Sequence, residues 1–193
     1  MKRRVLFFTV LFIKIISAYA GPFGLSMGMT LEEVKEACDG KTPERIFSDE
    51  DRYYIYPKKS HSMFKKYIAW IDDDYGLYYI KAESEYISSN KYGEELKIQF
   101  YNFVEKLKKN YGTPEIIDRL IQNTIYKEDY YFWKTLQEGS REVSAKWIMG
   151  YTNVNNKDDL SYVYLYVQSN KKIILEYCFT NEVIVKEKED SYL

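Results

Sequence analysis

Three tyrosines at alternate positions, Tyr162, Tyr164 and Tyr166, are the residues of this 193-residue chain whose type and spacing point most directly to contact with another molecule. Strand side chains alternate between faces, so the three share one side and Val163, Leu165 and Val167 the other. Tyrosine suits recognition because it offers a large flat area, few rotatable bonds and a polar tip. Tyr79, out of phase with Ile80 and Ala82, is a fourth candidate for the same surface. Two ordinary readings compete. The ladder can be second-layer core in a sheet covered on both sides. The 21 tyrosines can also follow from AT-rich codon usage, which would equally account for the abundant Lys, Ile, Asn and Phe.

The residues available for catalysis are fewer. His61 is the single histidine, in a Lys-Lys-Ser-His-Ser run that reads as a solvated loop, so any histidine-dependent acid–base scheme rests on it alone. Glu83 and Glu85 lie two apart in a strand and share a face, at a separation glycosidase carboxylates can have. The ordinary account is a pair of charges on a wet face. Asp72-Asp73-Asp74-Tyr75-Gly76 lacks the spacing of a calcium loop and reads as a hairpin turn. A CxxC pair, a metal-ligand cluster, a glycine-rich phosphate loop, a nucleophile elbow and HExxH are all missing from the sequence, so neither cofactor nor metal is expected. The two cysteines, Cys38 and Cys178, are either a disulfide tying the first helix to the last strand, as an even count in an exported chain suggests, or two unrelated buried thiols. Cys178 alternates in phase with Glu176, which places it on the less buried face of its strand.

These residues must be positioned by an α+β fold read as two tandem units, each a helix followed by an antiparallel meander. Thr30-Leu31-Glu32-Glu33 is a capping box opening a short helix with the stripe Leu31, Val34, Cys38. Strands are expected around Arg52–Tyr56, Phe64–Ile71 and Leu77–Ile87. The second unit opens with a long amphipathic helix over 94–111, in which Leu96, Phe100, Phe103, Val104, Leu107 and Tyr111 form one stripe. Gly112 and Pro114 stop it. Further strands are expected at Val143–Met149, Leu160–Val167 and Lys172–Phe179, with one more at Tyr130–Trp133, and a frayed tail over Glu187–Leu193. A faint repeat links the units: Leu31, Val34 and Cys38 correspond to Val104, Leu107 and Tyr111, and Thr42-Pro43-Glu44 to Thr113-Pro114-Glu115.

Residues 1–20 combine a basic start (Lys2, Arg3, Arg4), a short apolar run and Ser17-Ala18-Tyr19-Ala20, the three parts of a cleaved secretory signal peptide. The expected organisation is therefore a signal over 1–20, a first unit over 21–90 and a second over 91–193, the two units forming one domain, periplasmic or secreted, with no stable membrane anchor after cleavage. The four basic residues of the signal leave 24 basic against 29 acidic residues, a formal charge of −5. Such a surface lacks the basic excess that a nucleic-acid partner requires.

Gly24-Leu25-Ser26-Met27-Gly28-Met29-Thr30-Leu31-Glu32-Glu33-Val34, followed by Gly40 and Pro43, resembles the "GMT-x-x-x-V … G-x-P" helix of the small outer-membrane assembly lipoproteins of the BamE or SmpA/OmlA type. The helix-plus-sheet repeats of β-lactamase-inhibitor proteins are similar. The resemblance is close over residues 24–43 and otherwise extends to the order of elements, and it implies a fold more than a function. Those lipoproteins carry a lipidated cysteine after the signal; Gly21 stands there in this chain, so neither membrane anchoring nor a role in outer-membrane assembly carries over. The chain as a whole also resembles exported bacterial proteins with an "FGL-x-x-GMT" start and "YG-x-P" after the long helix. The expectation is an exported, non-catalytic binding protein whose tyrosine-rich sheet face meets another envelope or extracellular protein or a glycan. The alternative is a small hydrolase with a carboxylate site.

Overall fold

Period-two patterning through the middle of the chain produces long strands, and the computed structural model arranges them in one antiparallel sheet. It describes residues 21–38, 41–47, 51–149 and 158–191; the signal reading, Asp39-Gly40 and the Asn155–Lys157 part of the expected turn lie outside them. In chain order the elements are α1 (Leu31–Ala37), β1 (Glu44–Arg45), β2 (Arg52–Ile55), β3 (Phe64–Asp72), β4 (Gly76–Ser84), α2 (Glu94–Tyr111), β5 (Glu115–Leu120), α3 (Phe132–Gln137), β6 (Arg141–Ile148), β7 (Leu160–Gln168), β8 (Lys172–Phe179) and α4 (Glu182–Asp190). The eight strands run in the order β1-β2-β3-β4-β8-β7-β6-β5. The fold is α+β. Both meanders start at the rim and end in the middle, where Tyr79 pairs with Cys178 and Glu83 with Ile174. Glu44 and Glu115, the matched glutamates of the two Thr-Pro-Glu runs, each begin a rim strand.

The helices start and stop where local chemistry dictates. Thr30 accepts from the Glu33 amide and the Glu33 carboxylate accepts from the Thr30 amide, so α1 has its capping box. α2 has the expected limits. Asn90 Oδ1 accepts from the amides of Tyr92 and Glu94 at its start, and Glu94 and Glu95 occupy the positive end of its dipole. At the other end the Trp147 indole donates to the Gly112 carbonyl at 2.7 Å, which ties the helix terminus to β6.

The main core lies between the sheet and α1, α2 and α3. Leu96, Phe100, Val104, Ile80, Ala82, Leu165, Ile173 and Leu175 belong to one buried cluster. Val163, Leu165 and Val167 face into it from β7. Burying such side chains removes apolar surface at about 25 cal/mol per Å², the largest favourable contribution to folding.

Four expectations need correction. Tyr130–Trp133 is a short 3-10 turn running into α3, because burying Phe132 and Leu136 together requires helical spacing. The expected frayed tail overlaps α4, whose Val185 is buried and whose Lys188 grips Asp72 and Asp74 at 3.1 and 2.6 Å; only residues 192 and 193 lie beyond the described chain. β4 ends at Ser84, short of the expected Ile87. Cys38 and Cys178 are free. Cys38 is part of the helix-side core and takes the Tyr56 amide at its sulfur. Cys178 is buried on the opposite side of the sheet and donates to Glu182 of α4 at 2.9 Å, so the sheet itself separates the two thiols.

At the β3–β4 turn, Asp72 Oδ1 accepts from the amides of Asp74 and Tyr75, as expected for a hairpin turn. Gly76 then adopts a φ of +67° and packs against the Gly28 backbone, whose amide donates to Leu77 O. A methyl group at position 76 would run into that backbone. Gly76→Ala is therefore expected to cost more than about 1 kcal/mol, read as a lower midpoint in urea unfolding, whereas Gly139→Ala, which meets nothing within 4 Å but shares the positive φ, should cost less.

Candidate functional site

Alternation in the central strands gives the sheet a second face, turned away from α1, α2 and α3. Register fixes its rows. Lys81, Glu176, Tyr164 and Lys146 stand side by side across β4, β8, β7 and β6; the neighbouring rows are Tyr79, Cys178, Tyr162, Ile148 and Glu83, Ile174, Tyr166, Ser144. Trp70 and Ile68 extend the face across β3, and Arg52 and Tyr54 across β2. The structure thus brings Tyr162, Tyr164, Tyr166 and Tyr79 onto one surface. All four are half-buried.

Ring contacts join two pairs of side chains on this surface. Tyr164 and Tyr166 stack with centroids 4.9 Å apart, and Trp70 meets Tyr79 edge-on at 4.9 Å. Cations sit over the rings at the periphery: Lys146 over Tyr162, Arg52 over Trp70 and Lys66 over Tyr54. The hydroxyls are held too. Tyr166 donates to Glu176 at 3.0 Å and Tyr164 to Glu142 at 3.2 Å, while Glu142 also accepts from Ser144. Glu83 lies 3.6 Å from both Lys81 and Lys172. The face is closed at one end, where Glu182 of α4 accepts a hydrogen bond from the Cys178 thiol and adds its charge beside Tyr162. It is open at the other, where Ile148 is 71% exposed.

The residues raised for catalysis do not gather there. Glu83 is engaged by its two lysines on the outer face, whereas Glu85, beyond the end of β4, lines a separate pocket of about 530 Å³ with His61, Gln99, Asn102, Phe103 and Lys106. That volume is within the range of small-molecule sites. His61 is not a solvated loop residue. Its ring meets Phe103 edge-on at 5.1 Å, Nδ1 accepts from the Met63 amide, and burial, with the Lys106 charge behind it, pushes its pKa down. The Glu95 carboxylate, which also lines the pocket, accepts from its own amide, the Asn90 amide and the Ser89 hydroxyl and is held below the ordinary carboxylate range. Hydrogen bonding keeps it ionised, the opposite of what a general acid needs. Sequence reading missed the pocket because its walls come from three distant segments; the mixed polar and aromatic face of α2 was its one visible sign.

No family model, curated protein or solved structure matches this chain. Among the described residues no helix is long and apolar enough to cross a membrane.

Burial raises the hydroxyl pKa of Tyr79, Tyr162, Tyr164 and Tyr166 above 10.0, and the Glu176 charge is the next largest cause at Tyr79 and Tyr166. Burial likewise raises both thiols above 9.0. In the unfolded chain these groups release protons near their ordinary values, so above pH 9 to 10 the unfolded state binds fewer protons than the native one and stability falls as pH rises. Below that window their contribution is complete. The melting temperature should therefore decline progressively once pH passes this range, and a spectrophotometric titration of tyrosinate should lag in the native protein relative to the chain in urea.

Proposed function

We propose that this chain is an exported binding protein that uses the outer sheet face, centred on Tyr162, Tyr164 and Tyr166 and extended by Tyr79, to hold another envelope or extracellular protein or a glycan. The observation that carries this reading is the half-buried row of tyrosines, with Tyr164 and Tyr166 stacked, on the side of the sheet that α1, α2 and α3 leave uncovered. Its hydroxyls and cations are fixed by neighbours, so little side-chain entropy remains to be lost on contact. Aromatic rings with a polar tip, interleaved with Lys and Glu, suit a surface that must be wet when free and dry when bound. Export rests on the signal-like residues 1–20, and the likeness of residues 24–43 to the outer-membrane assembly lipoproteins agrees with an envelope setting. Hydrolysis is the weaker reading: the carboxylates that could serve it are split between the outer face and the pocket, and the one with a shifted pKa is lowered.

The test is replacement of Tyr162, Tyr164 and Tyr166 together by Ser. Each loss of a half-buried ring is expected to cost about 1–2 kcal/mol, leaving a folded protein by circular dichroism. A photo-crosslinking residue at position 148, beside the ladder, should capture a partner from the producing cell's envelope or medium in the parent and not in the triple variant. A crosslinker at exposed Glu36 on α1 should capture none in either. Equal capture by the parent and the triple variant would refute the proposal, as would collapse of the fold on the triple change, since that would make the ladder core.

A further inference from the structure

The two rims of the sheet differ. β1 ends one side with two residues, whereas β5 ends the other with six, Glu115–Leu120. Long unprotected edges are rare because their free amide and carbonyl groups invite another strand. The phase of β5 can be read from its continuation: the Ile121 amide donates to Ser140 O, in the same register that pairs Leu120 with Arg141. Bonding to β6 therefore falls on Glu115, Ile117 and Arg119, and the N–H and C=O groups of Ile116, Asp118 and Leu120 point away from the sheet. Among the described residues no other backbone group bonds to β5.

The side chains of this edge match themselves. We propose that β5 pairs antiparallel with β5 of a second copy, centred on Ile117, to make a two-fold dimer with one continuous sheet. In that register Ile117 faces Ile117 of the second copy, Glu115 faces Arg119 and Arg119 faces Glu115, while the outward-pointing Ile116 and Asp118 exchange backbone hydrogen bonds. Within each copy Glu115 is already level with Lys146 and Arg119 with Glu142. The junction thus continues a row of alternating sign: Lys146, Glu115, Arg119 of the second copy, Glu142 of the second copy. Adjacent allowed registers lose this match. Centring on Asp118 sets two carboxylates opposite one another, and centring on Ile116 sets Glu115 against Ile117. Like charges directly opposite destabilise a strand pair and unlike charges stabilise it.

The helix side of the same edge agrees. Tyr101 of α2 donates to Asp118 of β5 at 3.1 Å, which places that flank of the helix along the rim. Exposed apolar groups flank it there, with Ile98 60% and Ile116 41% exposed. A two-fold axis normal to the sheet puts α2 of both copies on the same side, where these groups can cover one another.

The experiment is sedimentation velocity on the purified protein over a concentration series, with E115R, R119E and the double exchange E115R/R119E. All three alter exposed side chains, and circular dichroism melts check that each folds. The parent should sediment as a dimer at the higher concentrations. Each single exchange should weaken dimerisation on the order of tenfold or more, because two attractive pairs become repulsive. The double exchange should recover much of it, since the junction pairs re-form with signs reversed even though each exchanged side chain then meets a like charge at Lys146 or Glu142 of its own copy. A parent that stays monomeric throughout would overturn the proposal and leave the edge to a strand from some other protein. Single variants that dimerise like the parent, or a folded double variant that does not recover, would overturn the register.

Discussion

The dry face of the sheet, to which Ile80, Leu165 and Leu175 contribute from adjacent strands, is the constraint on which the rest depends. Because side chains alternate strictly, filling that face with aliphatics leaves every intervening residue on the far side. α1, α2 and α3 are recruited to the dry side by area alone: α2 buries Leu96, Phe100, Phe103, Val104 and Leu107 along one stripe. A single slip of β7 against β8 would exchange Leu165 for Tyr164 and put hydroxyls into the core, so register is fixed by the cost of that exchange.

The far side is neither core nor ordinary surface. Its tyrosines keep their hydroxyls on carboxylates at Glu142 and Glu176, which is affordable only where water still reaches the charge. Where the covering becomes complete, at Cys178, the neighbouring carboxylate is Glu182, and the thiol supplies the proton. Cations placed over rings at Trp70 and Tyr162 add local order without closing the surface. The result is an aromatic layer whose side chains are held in place by their own neighbours.

Much of this was legible in the sequence, for physical reasons that differ by element. α2 was readable because its stripe is long and its ends carry matching charges and a glycine stop. β7 was readable because Tyr and aliphatic residues alternate without exception over six positions. α3 was not, because Tyr130, Tyr131, Phe132 and Trp133 favour strands locally, and only the distant core that receives Phe132 and Leu136 makes the helix pay. β5 was missed since Glu-Ile-Ile-Asp-Arg-Leu has no clean alternation, a consequence of lying at a rim where neither face is fully dry. For the cysteines the even count and the facing pointed different ways, and the facing was the better sign: Cys178, in phase with Glu176, lies on the opposite face of the sheet from Cys38. The outer-face tyrosines were legible as a group sharing one side; the lysines and glutamates that hold them come from other strands and were not.

β8 is nearly the last element of the chain and stands at the middle of the sheet. Everything made before it amounts to two separate fragments, each with a bare inner edge: β4 on one, β7 on the other. Tyr79 has no neighbour on that side until Cys178 has been synthesised. Closing so long a loop is entropically slow, and pairings of this kind dominate folding time. The sheet therefore cannot close before β8 has been made. The two half-sheets stay unjoined until that strand is present, so the last pairing in chain order is also the one that closes the core.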